Sequence, residues 1–240
     1  MTAAFEEIDR RPTRLGEIVL RRRLEPSLNV DVYEVKLGDE FLMSSLFTVA
    51  EIELAHLALA ELPGTDLEVV VGGLGLGYTA RAVLECPRVR SLTVIEAVGA
   101  VIDWHRRGLV PLARHLTADP RCNLVEGDFF AMVASCAAFG PAVPAQCDAV
   151  LVDIDHSPRH LLHPSHALFY EPDGLACVAD RLHPAGVFGL WSDGAADDDF
   201  ADALEARFAS CTTHTVAFPN PLINGESSST VYVARTAART

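Results

Sequence analysis

The chain lacks the features of several large classes of protein. None of its apolar runs reaches the roughly 18 residues that suggest a membrane span. The first residues, "MTAAFEEIDRRP", contain no apolar signal core, so we expect a cytoplasmic protein with no membrane partner. Basic residues are scarce, with 19 Lys and Arg against 33 Asp and Glu. A net charge of −14 argues against nucleic-acid binding, because phosphate contacts need a basic face. This charge is compatible with attracting a cationic substrate, but a solvated acidic surface that keeps the protein soluble is the favoured explanation.

Metal-binding and disulfide signatures are also missing. The six cysteines include no C-x-x-C pair, so we expect reduced thiols rather than bridges or zinc ligands. The segment "HSPRHLLHPSH" carries four histidines, but Pro158 and Pro164 interrupt any helix that could align them. No acid or cysteine nearby completes a metal shell. We therefore predict no metal and interpret this segment as a loop that covers the substrate.

Short strands occupy the N-terminal part of the chain. "GEIVLRRRL" and "NVDVYEVKL" alternate apolar and polar residues and predict two strands, and "DEFLMS" predicts a third. Thr48 and Glu51 have the spacing of a capping box, which predicts a helix over 49–62. Residues 1–13 have no such pattern, and we expect them to be frayed. The pattern divides the chain into a small N-terminal β unit (1–47) and a larger nucleotide-binding domain (48–240).

From Leu67 onward, short apolar runs alternate with helical segments. The runs are "LEVVV", "SLTVIE", "NLVEG", "CDAVLVDID" and "AGVFGLW". Buried strands separated by helices predict a parallel sheet with helices on both faces. The last two strands, "CTTHTVAF" and "STVYVAR", have no helix between them and predict an antiparallel hairpin. The predicted fold class is α/β: a seven-stranded, mostly parallel Rossmann-like sheet with a C-terminal antiparallel hairpin.

The loop Gly72–Gly77 connects the first of these strands to a helix and predicts a nucleotide site. Glycines there let the backbone approach a ligand and direct amides towards it. The segment also satisfies G-x-G-x-x-A, so a dinucleotide remains possible at this point. Glu96 closes the second strand, where a carboxylate can accept bonds from ribose hydroxyls. Asp128 follows the third strand; it could meet an exocyclic amine or cap the next helix.

Together these segments resemble a known family. "VVVGGLGLG", "PRVRSLTVIEAVGAVIDWHR", "DPRCNLVEGDFF" and "CDAVLVDIDHSP", followed by the hairpin, are similar to the class I S-adenosylmethionine-dependent methyltransferase fold. Within it the chain resembles the spermidine synthase (polyamine aminopropyltransferase) group. An ordinary dinucleotide-binding domain lacks the hairpin, so S-adenosylmethionine or its decarboxylated form is the implied cofactor.

The resemblance also implies roles for individual residues. Three glycines would pass close to the amino-acid or aminopropyl part of the cofactor, namely Gly73, Gly75 and Gly77. Glu96 would hold the ribose hydroxyls and Asp128 the adenine amine. Asp153 matches an aspartate beside the transferable group, and Asp155 and His156 follow it as further catalytic candidates. His156 could serve as a base or be only a solvated loop histidine.

The sequence departs from the aminopropyltransferase pattern at its glycine loop. Related loops resemble G-G-G-D-G-G, with an aspartate that holds the substrate amine, and Gly75 stands at that position. The first hypothesis is therefore methyl transfer to a small acceptor, with a cation as one option. Aminopropyl transfer is the alternative, and a catalytically silent nucleotide-binding homologue is the third. A small-molecule substrate is expected in the first two cases, and a homodimer remains an open option.

Overall fold

A small antiparallel sheet forms the N-terminal part of the protein. The computed structural model describes residues 5–135 and 143–239. The sheet has the order β1-β2-β3-β4, with strands Phe5–Thr13, Gly16–Glu25, Val30–Leu37 and Glu40–Ser44. The predicted strands are confirmed, but the expectation of a frayed N-terminus is wrong for residues 5–13. β1 pairs with β2 along its whole length. The indole of Trp104 also donates a 2.7 Å hydrogen bond to Asp9 on β1.

The second sheet has seven strands and confirms the predicted fold class. Its strands are β5 Leu67–Gly72, β6 Val89–Glu96, β7 Cys122–Glu126, β8 Cys147–Val152, β9 Leu182–Asp193, β10 Ser210–Asn220 and β11 Gly225–Arg235. They lie in the order β10-β11-β9-β8-β5-β6-β7. The five strands from β5 to β9 are parallel, whereas β11 is antiparallel to both β9 and β10. The final hairpin is therefore where the sequence predicts it.

Helices cover both faces of the larger sheet. They are α1 Val49–Ala60, α2 Tyr78–Glu85, α3 Gly99–Arg106, α4 Ala113–Thr117, α5 Phe129–Ala134, α6 Pro172–Ala179 and α7 Asp198–Arg207. α1 starts where predicted, but the capping box is not formed, because Thr48 makes no side-chain cap bond. The sequence also predicts a helix over residues 129–138, and the last three of these, 136–138, lie outside the described residues. Among those residues, no helix is long and apolar enough to span a membrane.

The N-terminal sheet shares its core with the larger sheet. Ile18, Leu20 and Val35 belong to the same buried cluster as Leu54 of α1 and Val71 of β5. The apolar faces of both sheets therefore stabilise each other. The division at residue 48 remains a prediction.

The cysteines follow the expectation only in part. Four of them are free thiols, Cys86, Cys122, Cys147 and Cys211. Cys177 is disulfide-bonded, which makes the expectation of reduced thiols wrong at that position. Cys136 lies outside the described residues.

Candidate functional site

A cavity of about 360 Å³ lies at the carboxyl ends of the parallel strands. In open α/β sheets, ligands bind where the connections from two neighbouring strands lead to opposite faces. Here the loops after β5, β6 and β8 meet beneath the N-terminal sheet. Six of the eight predicted site residues line this cavity: Gly73, Gly75, Glu96, Asp128, Asp153 and His156. Gly77 and Asp155 are not among the lining residues.

The glycine loop is packed too closely for side chains at two positions. Gly73 has φ +95°, and a Cβ there would lie 2.1 Å from the carbonyl oxygen of Asp153. Gly75 has φ +48°, and a Cβ there would lie 2.2 Å from the Cε of Met43. Met43 belongs to β4, so the N-terminal sheet fills the space that a side chain at position 75 would enter. Gly77 ends the loop as the N-cap residue of α2.

Glu96 anchors this loop. Its carboxylate accepts hydrogen bonds from the amide of Leu74 at 3.0 Å and the amide of Val98 at 2.8 Å. Burial raises the pKa of Glu96, and the backbone amides, including those of Leu74 and Val98, oppose that rise. Each carboxylate oxygen accepts one of these two bonds, and the side chain also lines the cavity. The side chain can therefore hold the loop and still accept a bond from a hydroxyl group in the cavity.

Asp128 caps α5, as one of its two sequence interpretations predicts. Its Oδ1 accepts a 3.0 Å hydrogen bond from the amide of Ala131. The residue also lines the cavity, so capping and ligand binding are compatible.

Asp153 forms a half-buried pair of carboxylates with Glu51, a residue that sequence analysis did not select. Thr79 donates a 2.6 Å hydrogen bond to Oδ2 of Asp153. Burial raises the pKa of Asp153 to about 6, opposed by the bond from Thr79. Burial and the charge of Asp153 raise the pKa of Glu51 to about 8. Both residues line the cavity, so two acids that resist ionising together face the same space.

Asp155 lies behind the cavity wall and is fully engaged. It accepts hydrogen bonds from the amide of Leu162 at 2.8 Å and from the hydroxyl of Tyr170 at 3.0 Å. A third bond of 2.8 Å joins it to Nδ1 of His166. His166 lines the cavity and packs on Phe130, with ring centroids 4.0 Å apart. Asp155 thus positions the loop residues that line the cavity and does not face the cavity itself.

His156 lies at the edge of the cavity, between the two sheets. Its Nε2 is 3.4 Å from Oε1 of Glu40, and Nε2 of His160 is 3.2 Å from the same oxygen. The acid that the histidine-rich segment lacks locally comes from β4, more than a hundred residues earlier in the chain. Local sequence contained no signal for this contact.

Comparison with known proteins identifies the family. The spermine/spermidine synthase domain matches residues 47–194, so the chain belongs to the spermine/spermidine synthase family. The fold agrees: the spermidine synthase of Thermotoga maritima is 17% identical with a TM-score of 0.71, covering 97% of this chain and 73% of that one. A spermidine synthase in complex with the transition-state analogue AdoDATO has a TM-score of 0.74 at the same identity, covering 97% of this chain and 74% of that one.

Curated relatives within the family catalyse two different reactions. Putrescine N-methyltransferase 4 of Nicotiana tabacum is 31% identical over 134 residues, covering 56% of this chain. The polyamine aminopropyltransferase of Prochlorococcus marinus (strain MIT 9313) is 30% identical over 140 residues, covering 58% of this chain. The match covers 31% of the tobacco protein and 45% of the cyanobacterial one. This chain is therefore similar to a part of each.

Proposed function

We propose that this protein is an S-adenosylmethionine-dependent N-methyltransferase that acts on a small aliphatic amine. The observation that carries the proposal is the carboxylate pair of Glu51 and Asp153 in the cavity next to the glycine loop. A second candidate is aminopropyl transfer from decarboxylated S-adenosylmethionine, which the similarity to the cyanobacterial aminopropyltransferase favours.

The carboxylate pair favours a cationic acceptor. With a pKa of about 8, Glu51 holds a proton at neutral pH while no cation is present. An ammonium group between the two acids would compensate both charges and displace that proton, because an opposite charge favours the ionised form. Val35, Leu37 and Leu42 line the same cavity with apolar side chains. This combination fits an alkyl chain that ends in an ammonium group.

The glycine loop favours the carboxylated cofactor. At the position of Gly75, the resemblance to aminopropyltransferases leads one to expect an aspartate that holds an amine. Met43 fills that space here, with its Cε 2.2 Å from the site of a Cβ. The contact with the substrate amine that belongs to the aminopropyltransferase pattern is therefore lost, which makes aminopropyl transfer the weaker candidate. The similarity to the tobacco putrescine N-methyltransferase supports the same choice.

The residues of the cavity can be assigned to the steps of this reaction. Glu96 would hold the ribose hydroxyls, Asp128 the adenine amine, and Gly73 to Gly77 the amino-acid part of the cofactor. The cofactor, when bound, supplies a methyl group on a sulfonium. Asp153 would orient the acceptor, whose ammonium group must first lose a proton so that the neutral nitrogen has a lone pair with which to displace the sulfonium sulfur from the methyl carbon. The proton lost from nitrogen passes to Asp153, whose raised pKa suits it to accept one. Asp155 and His156 would support this step from the loop after β8.

Calorimetry with three ligands tests the choice of cofactor. We expect S-adenosylmethionine to bind more tightly than decarboxylated S-adenosylmethionine. Methylthioadenosine is the control, because it lacks both the amino group and the carboxylate of the amino-acid part. Methyl transfer to putrescine, followed by mass spectrometry, then tests the reaction. A preference for the decarboxylated form together with release of methylthioadenosine would establish aminopropyl transfer instead. Absence of binding by all three ligands would refute both transfer reactions.

Proton release tests the cationic acceptor. Putrescine binding at pH 7 should release protons, because the ammonium group displaces the proton of Glu51. The number of protons follows from binding enthalpies measured in buffers with different enthalpies of ionisation. The variant Glu51→Gln should release fewer protons than the wild type. Equal release from both proteins would contradict the assignment of Glu51.

A further inference from the structure

Three side chains from distant parts of the chain converge on one point at the edge of the cavity. Oε1 of Glu40 lies 3.2 Å from Nε2 of His160 and 3.4 Å from Nε2 of His156. All three atoms lie within 4.8 Å of one another. We propose that Glu40, His156 and His160 form a binding site for a divalent first-row transition metal, with Zn²⁺ as the reference ion. This departs from the sequence-based expectation of no metal and does not depend on the proposed reaction.

The distances fit metal ligands better than hydrogen bonds. Charge-assisted N–H···O bonds have lengths of about 2.7–2.9 Å, and both contacts of Glu40 are longer. Zinc binds imidazole nitrogen and carboxylate oxygen at about 2.0–2.2 Å, so two ligands at a tetrahedral angle lie about 3.3–3.6 Å apart. The two separations from Glu40, 3.2 and 3.4 Å, lie close to that spacing. Two imidazoles and one carboxylate are also a donor set that zinc sites use, with a fourth position left for water.

The two histidines are held in place by the backbone around them. His160 and Ser157 exchange backbone hydrogen bonds of 3.1 and 3.3 Å across a tight turn. The hydroxyl of Ser157 accepts a further 3.0 Å bond from the amide of His160. The carbonyl of His156 accepts a 2.6 Å bond from the amide of Asp193 at the end of β9. The imidazole rings lie 4.7 Å apart between centroids, so little reorganisation is needed for both to bind one ion.

The positively charged side chain nearest in sequence to the two histidines is paired with other acids. Arg159 lies between the two histidines in the chain, and its guanidinium pairs with Asp197 and Asp199. Arg159 therefore does not compete with the two histidines for the carboxylate of Glu40. Two protonated imidazoles this close would repel each other, whereas neutral imidazoles are the form that a metal binds. A bound ion would join β4 to the loop after β8 beside His156, a cavity residue. Occupancy would therefore set how closely the N-terminal sheet covers the cavity.

Zinc titration of the full chain, after removal of metal with a chelator, tests the site. We expect one equivalent of Zn²⁺ to bind by calorimetry and to raise the unfolding temperature, because a ligand of the native state stabilises it. The variants His160→Ala and Glu40→Gln should each weaken Zn²⁺ binding at least tenfold. His160 is 67% exposed at its side chain and does not line the cavity, so its replacement should leave folding intact.

His56→Ala is the matched control. Nδ1 of His56 lies 3.1 Å from Oε1 of Glu53, a histidine–glutamate pair on α1 outside the three-residue cluster. This variant should bind Zn²⁺ as the wild type does. Co²⁺ provides the second measurement, because its spectrum should contain no thiolate charge-transfer band. No saturable binding, equal binding by His160→Ala and the wild type, or a thiolate band that reports cysteine ligands would each overturn the proposal.

Discussion

The variant Glu51→Gln should make the protein more stable in alkaline solution. Glu51 is a half-buried acid beside Asp153, and its pKa is about 8 against an ordinary value of 4.5. A folded-state pKa above the unfolded value means that stability is present below pH 4.5 and is lost as the pH rises through about 8. Glutamine keeps the size of the side chain and removes this titration. The wild type should therefore lose stability between pH 5 and pH 9, and the variant should lose less.

The magnitude follows from the pKa values. The difference between 4.5 and about 8 corresponds to about 5 kcal/mol of penalty on the charged form of Glu51, at roughly 1.4 kcal/mol for each pH unit. Local relaxation and water entry reduce this figure. We expect Glu51→Gln to exceed the wild type by about 2 to 5 kcal/mol in free energy of unfolding at pH 9. At pH 5 the advantage should disappear, because wild-type Glu51 is then mostly protonated.

Urea denaturation at pH 5, 7 and 9, followed by fluorescence, provides the measurement. Trp104 is fully buried and reports unfolding. Glu53→Gln is the matched control, since Glu53 lies on the same helix but is paired with His56 at the surface. The control should show the pH dependence of the wild type. Equal pH dependence in Glu51→Gln and the wild type would refute the half-buried carboxylate pair.

Three further variants test individual contacts. Asp153→Asn should keep cofactor affinity and lower the single-turnover rate of methyl transfer at least tenfold, about 1.4 kcal/mol of barrier; Asp148→Asn, at the opposite end of β8, is the control, and an unchanged rate in Asp153→Asn would reduce that residue to a structural role. Glu96→Ala should weaken cofactor binding by about 1–3 kcal/mol in calorimetry, because the loop amides and the ribose lose a buried acceptor; unchanged affinity would rule out both functions. Gly75→Ala should lower the free energy of unfolding by about 1–3 kcal/mol, because φ of +48° is strained for a residue with a side chain and the added Cβ must displace Met43. In the double variant with Met43→Ala, the loss caused by Gly75→Ala should be smaller. If the losses of the two single variants simply add, the contact between position 75 and Met43 is excluded.

Most of the larger sheet could be predicted because its signals are local. A buried parallel strand such as β8 is a short apolar run between helices, and the final hairpin shows as two strands with no helix between them. Residues that follow such strands converge at one edge of the sheet. This is why Glu96, Asp128 and Asp153 were correctly placed around one cavity. β1 was missed, because its strand has no apolar alternation and is stabilised by pairing with β2 and by contacts such as that of Asp9 with Trp104.

The candidate site residues that local sequence does not indicate depend on contacts between distant segments. Glu51 has the spacing of a capping residue, and the local pattern gave no reason to assign it another role. In the folded protein, α1 packs beside α2 and β8, which brings the carboxylate of Glu51 close to Asp153. The hydroxyl of Thr79 lies 3.3 Å from the backbone carbonyl of Glu51 and donates to Asp153. Glu40 reaches two histidines for the same reason, because β4 lies over the loop that follows β8. The acidic pair therefore arises only when α1 packs beside β8, and the histidine cluster only when β4 lies over the loop that follows β8. Removal of residues 1–47 should abolish the histidine cluster, because it removes Glu40, and should keep Glu51 in the chain.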